Sequence, residues 1–253
     1  MSDRLTDPVV LLPGWGFDGT VFTNLTAVMA EQYHRKVKVF DLPGYGDRKN
    51  IKIKAGLDAM IEPLMTQITT KTVLVGWSMG GMAAIRMAVK LKNRVSAVVL
   101  LASTPCFVKK KDWPHGVDKW QISRMSRQLR SVSGTQKVLR DFSRIVAMGD
   151  RTPGTTADCL QTLLSTNNTD VYSMQQGLKI LGEDDLREDL EQLTCRIVML
   201  LAENDHLVAA TTGAAIKEFC PGLTLDFIRQ SGHAPFISEL HQTAALLNRY
   251  LDI

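Results

Sequence analysis

Short apolar runs recur along the first hundred residues and again from about residue 196, separated by longer stretches in which apolar positions return with helical spacing. Val9-Val10-Leu11-Leu12, Lys36 to Phe40, Val73-Leu74-Val75, Val95 to Leu101, Arg196 to Leu201 and Leu223 to Ile228 are β-branched or leucine-rich and predict strands. The runs are close to continuously apolar rather than alternating, so both faces of their sheet must be covered. Strands of that kind alternating with helices predict an α/β fold with a mainly parallel sheet, in which ligands bind at the carboxyl ends of the strands. Between about residues 103 and 190 no comparable run occurs and helical pattern dominates. The chain therefore reads as a core built from residues 1–102 and 191–253, with residues 103–190 inserted as a helical cap.

Composition narrows the class. With 253 residues, 45% apolar and 22% charged, the chain has the balance of an ordinary globular protein large enough for one full α/β domain with an insertion. The first residues show no cationic segment followed by an apolar one, and no apolar run reaches membrane-spanning length. Cys106, Cys159, Cys195 and Cys220 are scattered without metal or redox spacing, which fits reduced thiols and a cytoplasmic location. Cys106, after Pro105, reads either as a buried small apolar residue or as a second nucleophile.

The chemistry is concentrated at Gly76-Trp77-Ser78-Met79-Gly80, which follows the apolar run Lys71 to Val75 and precedes the small-residue helical stretch Met82 to Ala88. A strand that turns this sharply into a helix leaves the serine strained and exposed at the strand's carboxyl end, the arrangement of a nucleophile elbow. A serine hydroxyl is a poor nucleophile at neutral pH, so a general base and a group that orients the base must lie nearby. His233, in the small-residue loop Ser231 to Phe236 after the last strand, is the candidate base, with His206 as its rival. The loop Ala202 to Val208 after the preceding strand supplies the acid, Asp205 or, second, Glu203. The oxyanion of acyl transfer needs donors, which the backbone N–H groups of Met79 and of Trp15, in Pro13-Gly14-Trp15-Gly16, are placed to provide. No metal or organic cofactor is needed for this chemistry.

With these residues in this order, the chain resembles the α/β-hydrolase superfamily over nearly its whole length. Pro13 to Gly16, Gly76 to Gly81 and Gly232-His233-Ala234-Pro235-Phe236-Ile237-Ser238 look in particular like the pimeloyl-[acyl-carrier protein] methyl ester esterase family of biotin synthesis. The resemblance implies the α/β-hydrolase fold, Ser78 as nucleophile with Asp205 and His233 as partners, Trp15 and Met79 as oxyanion donors, and an acyl carrier protein bearing the ester. It further implies that Phe142, Ser143, Arg144, Ile145 and Val146 of the cap contact the acyl chain. Pro13 departs from the family, which has histidine before the glycine; proline keeps its carbonyl but lacks an N–H. Another hydrolase of this fold, a general carboxylesterase or a carbon–carbon bond hydrolase, would share the same triad, and a non-catalytic ligand-binding member is a further alternative.

Charge adds a separate clue. Residues 109 to 151 hold eleven basic residues against four acidic ones, an excess of +7, so that from a total of +4 the rest of the chain carries −3. Lys137, Arg140 and Arg144 share one helical face, and Arg124, Arg127 and Arg151 add to the field. Such a field attracts and orients an acidic partner, which an acyl carrier protein would be. Nucleic acid is disfavoured because the patch lacks interleaved aromatics, and the expectation is a monomer without membrane contact.

Overall fold

The computed structural model describes residues 7–52, 55–166 and 169–251. β1 (Val9–Leu12) is followed by α1 (Thr23–Tyr33), β2 (Val37–Val39), α2 (Leu57–Met65), β3 (Thr72–Trp77), α3 (Met79–Leu91) and β4 (Val95–Leu101). Next among the described residues come α4 (Lys119–Gln128), α5 (Val132–Ala147), α6 (Pro153–Thr166), α7 (Val171–Glu183) and α8 (Arg187–Glu191). The sheet then resumes with β5 (Arg196–Ala202), α9 (Thr212–Phe219), β6 (Thr224–Ile228), α10 (Pro235–Ser238) and α11 (Leu240–Leu251).

The strands form one sheet in the order β2-β1-β3-β4-β5-β6, every neighbouring pair parallel. Each apolar run noted in the sequence contributes a strand. β3 runs two residues further than its apolar run, Gly76 pairing with both Leu12 of β1 and Leu100 of β4, and Trp77 with Leu101 of β4 alone.

Successive side chains of the strands enter opposite cores. Val10, Leu12, Leu74, Val98 and Met199 pack with Met60, Ile61 and Leu64 of α2, Ile85 of α3 and Ile216 of α9. Leu11, Val73, Val75, Val99 and Leu200 pack on the other face with Leu25 and Met29 of α1 and Leu247 and Leu251 of α11. A sheet buried on both faces has no use for alternation, which is why β1, β3, β4 and β5 read as continuous apolar runs, whereas the edge strands β2 and β6 carry polar positions, Lys38 and Asp226, among their apolar ones.

From β1 the chain steps outward to β2, then returns to place β3 on β1's other side and builds the rest of the sheet beyond it. The direction of winding thus reverses between β1 and β3, where parallel sheets leave a crevice at their carboxyl ends. No helix among the described residues is long and apolar enough to cross a membrane.

Candidate active site

Ser78 sits at the reversal point, between the last residue of β3 and the first of α3, with φ +54° and ψ −123°. This conformation costs a non-glycine residue about 1–3 kcal/mol and persists only when its surroundings enforce it. Three hydrogen bonds do so. The Ser78 N–H donates to the Leu101 carbonyl at 3.1 Å, and its carbonyl accepts from the Gly81 N–H at 2.9 Å and from the Ser103 hydroxyl at 2.6 Å. Close approach explains the two glycines: a Cβ on Gly76 would lie 2.2 Å from the Gly80 carbonyl oxygen, and one on Gly80 2.2 Å from that of Leu12. α3 is thereby seated directly on the ends of β3 and β1.

Asp205 and His233 come to the same rim from the loops after β5 and β6. The His233 ring lies 2.8 Å from the Ser78 hydroxyl through Nε2 and 2.7 Å from the Asp205 carboxylate through Nδ1. The side chains of His233 and Asp205 are both fully buried. The neutral tautomer that satisfies every bond has Nδ1–H donating to Asp205 Oδ2 and the Ser78 O–H donating to Nε2. Asp205 is anchored in turn, its Oδ1 accepting the N–H groups of Leu207 at 2.7 Å and Val208 at 3.0 Å. The Trp77 indole N–H donates to the His233 carbonyl at 2.7 Å, tying His233 to the strand that leads into Ser78.

The other candidates lie elsewhere. Glu203 is exposed and accepts the Gln230 N–H at 3.0 Å. His206 is exposed, on the wall of the cavity above Ser78. Cys106 is buried, its thiol donating to the Val108 carbonyl at 3.3 Å, and burial pushes that thiol above its ordinary range. A protonated, buried thiol has no nucleophilic chemistry.

Trp15 follows β1, is 1% exposed, and directs its indole N–H to the Met174 carbonyl of α7 at 2.8 Å. Met79 opens α3, where a helix's first amides have no intrahelical acceptor. Pro13 is buried next to Gly14, whose carbonyl accepts the Phe17 N–H at 3.3 Å, so the turn forms without any amide from the proline.

Above Ser78 lies a cavity of about 360 Å³ roofed by residues of α4, α5 and α7. Its lining is mainly apolar, with Trp15, Phe107 and Val117 joined by Leu178 and Leu181 of α7. Of the run 142–146, Phe142 and Ile145 line it. Ser143 and Val146 are fully buried away from the lining, and Arg144 is exposed. A helix turns about 100° per residue, so five consecutive positions cannot share one wall, whereas positions three apart do. Phe142 also meets the Trp15 ring edge-on at 4.9 Å, closing the cavity over the β1 loop. The sequence offered no sign of Phe107, Leu178 or Leu181, because apolar residues in helices and loops read equally well as core.

The basic residues divide into two groups. Arg124, Arg127, Arg140 and Arg144 are exposed, and Arg124 also stands at the cavity. Lys137 pairs with Asp141 at 2.8 Å and Arg151 with Glu239 at 3.1 Å, so two of the six cations already have carboxylate partners.

A nucleophile elbow, a serine–histidine–aspartate line and a parallel sheet with helices over its carboxyl ends define an α/β hydrolase, and its relatives make the chain a carboxylic ester hydrolase. A family model described as the alpha/beta hydrolase family matches residues 9–246, and the chain belongs to that family. It is similar to the pimeloyl-[acyl-carrier protein] methyl ester esterase of Aliivibrio salmonicida, at 32% identity over 247 residues, 96% of this chain and 92% of that one. The esterase of the same name from Nitrosomonas europaea is 29% identical over 230 residues, 91% of this chain and 90% of its own. Among solved structures, an esterase from Exiguobacterium antarcticum shares the fold, with a TM-score of 0.84 at 21% identity over 98% of this chain and 92% of its own.

Proposed function

We propose that the chain is a serine carboxylesterase that hydrolyses the methyl ester of pimeloyl-[acyl-carrier protein] in biotin synthesis, with Ser78 as nucleophile, His233 as general base and acid, and Asp205 as the group that orients the base. The observation that carries this reading is the line of two short hydrogen bonds, 2.8 and 2.7 Å, joining the strained Ser78 to a buried His233 and Asp205. His233 Nε2 takes the Ser78 proton as Oγ attacks the ester carbonyl. The N–H groups of Trp15 and Met79 stabilise the oxyanion, each such donor being worth about 100- to 1000-fold in rate. Collapse breaks the bond to methoxide, which leaves as methanol with the proton from His233. Water, activated by the same imidazole, then attacks the acyl-enzyme and frees the carboxylic acid.

The substrate reading rests on the names of the relatives together with the cavity and the charge around it. The apolar cavity suits an acyl chain, with Phe142 and Ile145 of α5 as one wall. Helices α4 to α7 act as a cap formed within residues 103–190, and the exposed Arg124, Arg127, Arg140 and Arg144 on it face an acidic carrier protein. The enzyme works as a monomer in the cytoplasm, where its four cysteines remain free thiols.

Three experiments test this. Ser78→Ala abolishes hydrolysis of short p-nitrophenyl esters with thermal unfolding unchanged; activity near wild type refutes the assignment of the nucleophile. Replacing Arg140 and Arg144 together by glutamate raises KM for the carrier-bound ester and leaves small esters unaffected; equal loss on both substrates refutes the docking surface. Restoration of biotin-independent growth to a strain lacking its own esterase, with Ser78→Ala as the control, distinguishes this substrate from a general carboxylesterase's.

A further inference from the structure

α5 ends at Ala147, and the residues around that end press against both catalytic loops. The His233 N–H donates to the Val146 carbonyl at 3.0 Å, and the Gly232 N–H donates to Asp150 Oδ1 at 2.5 Å. On the neighbouring loop the Asn204 side-chain amide donates to the Gly149 carbonyl at 3.0 Å, while its backbone N–H donates to the Ser231 carbonyl at 3.0 Å. The fit is tight enough that a Cβ on Gly232 would lie 2.5 Å from the Met148 carbonyl oxygen.

Asp150 is the unusual member of this group. It is 8% exposed, it spends one carboxylate oxygen on a single main-chain amide, and its Oδ2 has no hydrogen-bond partner among the described residues. A buried carboxylate so poorly satisfied is a weak source of stability, since an apolar side chain would escape the desolvation cost. What it does control is the peptide immediately before the base.

We propose that Asp150 is a positioning residue, which fixes His233 through the Gly232 N–H so that Nε2 meets Ser78 while Nδ1 stays on Asp205. This inference rests on the reading of His233 as the general base. The base is then held from three directions: by Asp205 at the ring, by Trp77 at its carbonyl, and by the end of α5 at its own amide and the preceding one. The same helix forms the Phe142 and Ile145 wall of the cavity, so one rigid element sets both the acyl pocket and the alignment of the base.

The test compares Asp150→Ala with Asp150→Asn, which keeps a carbonyl oxygen for the Gly232 N–H. Displacing a reacting group by about an ångström costs about 100-fold, so Asp150→Ala is expected to lower kcat on p-nitrophenyl butyrate by about 10- to 100-fold while KM stays within about twofold. Phosphonylation of Ser78 by an organophosphonate slows by the same factor, and the downfield Nδ1 proton resonance of His233 shifts. Asp150→Asn restores most of the loss. Should the alanine variant fail to fold, Asp150→Ser, polar but too short to reach Gly232, takes its place. Wild-type kcat in the alanine or serine variant overturns the proposal, as does an asparagine variant no better than alanine, or a loss that only follows the unfolded fraction. His233→Ala is run alongside. Activity retained there overturns the triad itself, whereas an inactive His233→Ala beside an unimpaired Asp150→Ala overturns the positioning role alone.

Discussion

Replacing Asp205 by asparagine changes one atom in the site and inverts the proton arrangement of the triad. In the native site Oδ1 is committed to the Leu207 and Val208 N–H groups at 2.7 and 3.0 Å, and Oδ2 faces His233 Nδ1 at 2.7 Å. The new amide has two orientations. Turning its NH2 toward the two backbone donors breaks both bonds and leaves buried N–H groups without an acceptor, at about 1–3 kcal/mol each. The favoured orientation keeps the oxygen on those amides and points the NH2 at Nδ1, which must then be an acceptor. The ring proton moves to Nε2, which donates to Ser78 instead of accepting from it, and the base is lost. In a serine–histidine–aspartate triad the wrong tautomer lowers kcat by about 10,000-fold, equivalent to about 5.4 kcal/mol at about 1.36 kcal/mol per tenfold. Hydrolysis of p-nitrophenyl butyrate read together with thermal unfolding checks this, with KM and the unfolding midpoint nearly unchanged. Glu203→Gln, on an exposed side chain, is the control and keeps its activity. Turnover of Asp205→Asn within about tenfold of wild type, against the expected four orders of magnitude, or an equal loss in Glu203→Gln, refutes the assignment.

Two further predictions concern the scaffold. Gly80→Ala places a methyl group 2.2 Å from the Leu12 carbonyl oxygen, a backbone atom that cannot yield, so α3 must move off β1 and stability falls by at least about 2 kcal/mol. Differential scanning calorimetry checks it against Gly154→Ala, where nothing lies within 4 Å; equal midpoints refute the packing argument. Asp185 links Lys110, near the start of the inserted segment, to Arg187 at its end, at 2.8 and 2.7 Å. Burial works against its ionised form, but the two cations prevail and hold the carboxyl at about 2, below its ordinary 3.8. A carboxyl depressed in the folded state stabilises above its unfolded value and loses that contribution as pH falls through the folded one. The stability deficit of Asp185→Asn is therefore full at pH 7 and shrinks between about pH 4 and about pH 2; urea unfolding across that range checks it, and a deficit independent of pH refutes it.

The sequence was most readable where function and secondary structure are both local. The elbow is five adjacent residues between a strand and a helix, and Asp205 and His233 each follow a strand by a few positions, so spacing along the chain stood in for proximity in space. The order of the central strands was not readable, because β1, β3, β4 and β5 are apolar on both faces and nothing in β1 distinguishes β2 from β3 as its neighbour, although the polar positions Lys38 and Asp226 fall in the two edge strands. Within α5, apolar content alone could not separate Phe142 and Ile145, which face the cavity, from Val146, which packs into the core beneath. The support of His233 from Val146 and Asp150 left no trace either, since a main-chain carbonyl is silent in sequence and Asp150 read only as one of the few acidic residues among the basic ones of 109 to 151.

Ser78 and His233 lie 155 residues apart in the chain, with α4 to α8 and three further strands, β4, β5 and β6, intervening. During synthesis the elbow therefore emerges long before the imidazole that activates it. With His233 as the proposed base, a nascent polypeptide displaying Ser78 is expected to be chemically silent until β6 has docked. Closing so distant a contact is entropically demanding and slow compared with forming local structure. Recovery of hydrolysis thus marks a late event in refolding, after the sheet's earlier strands have assembled.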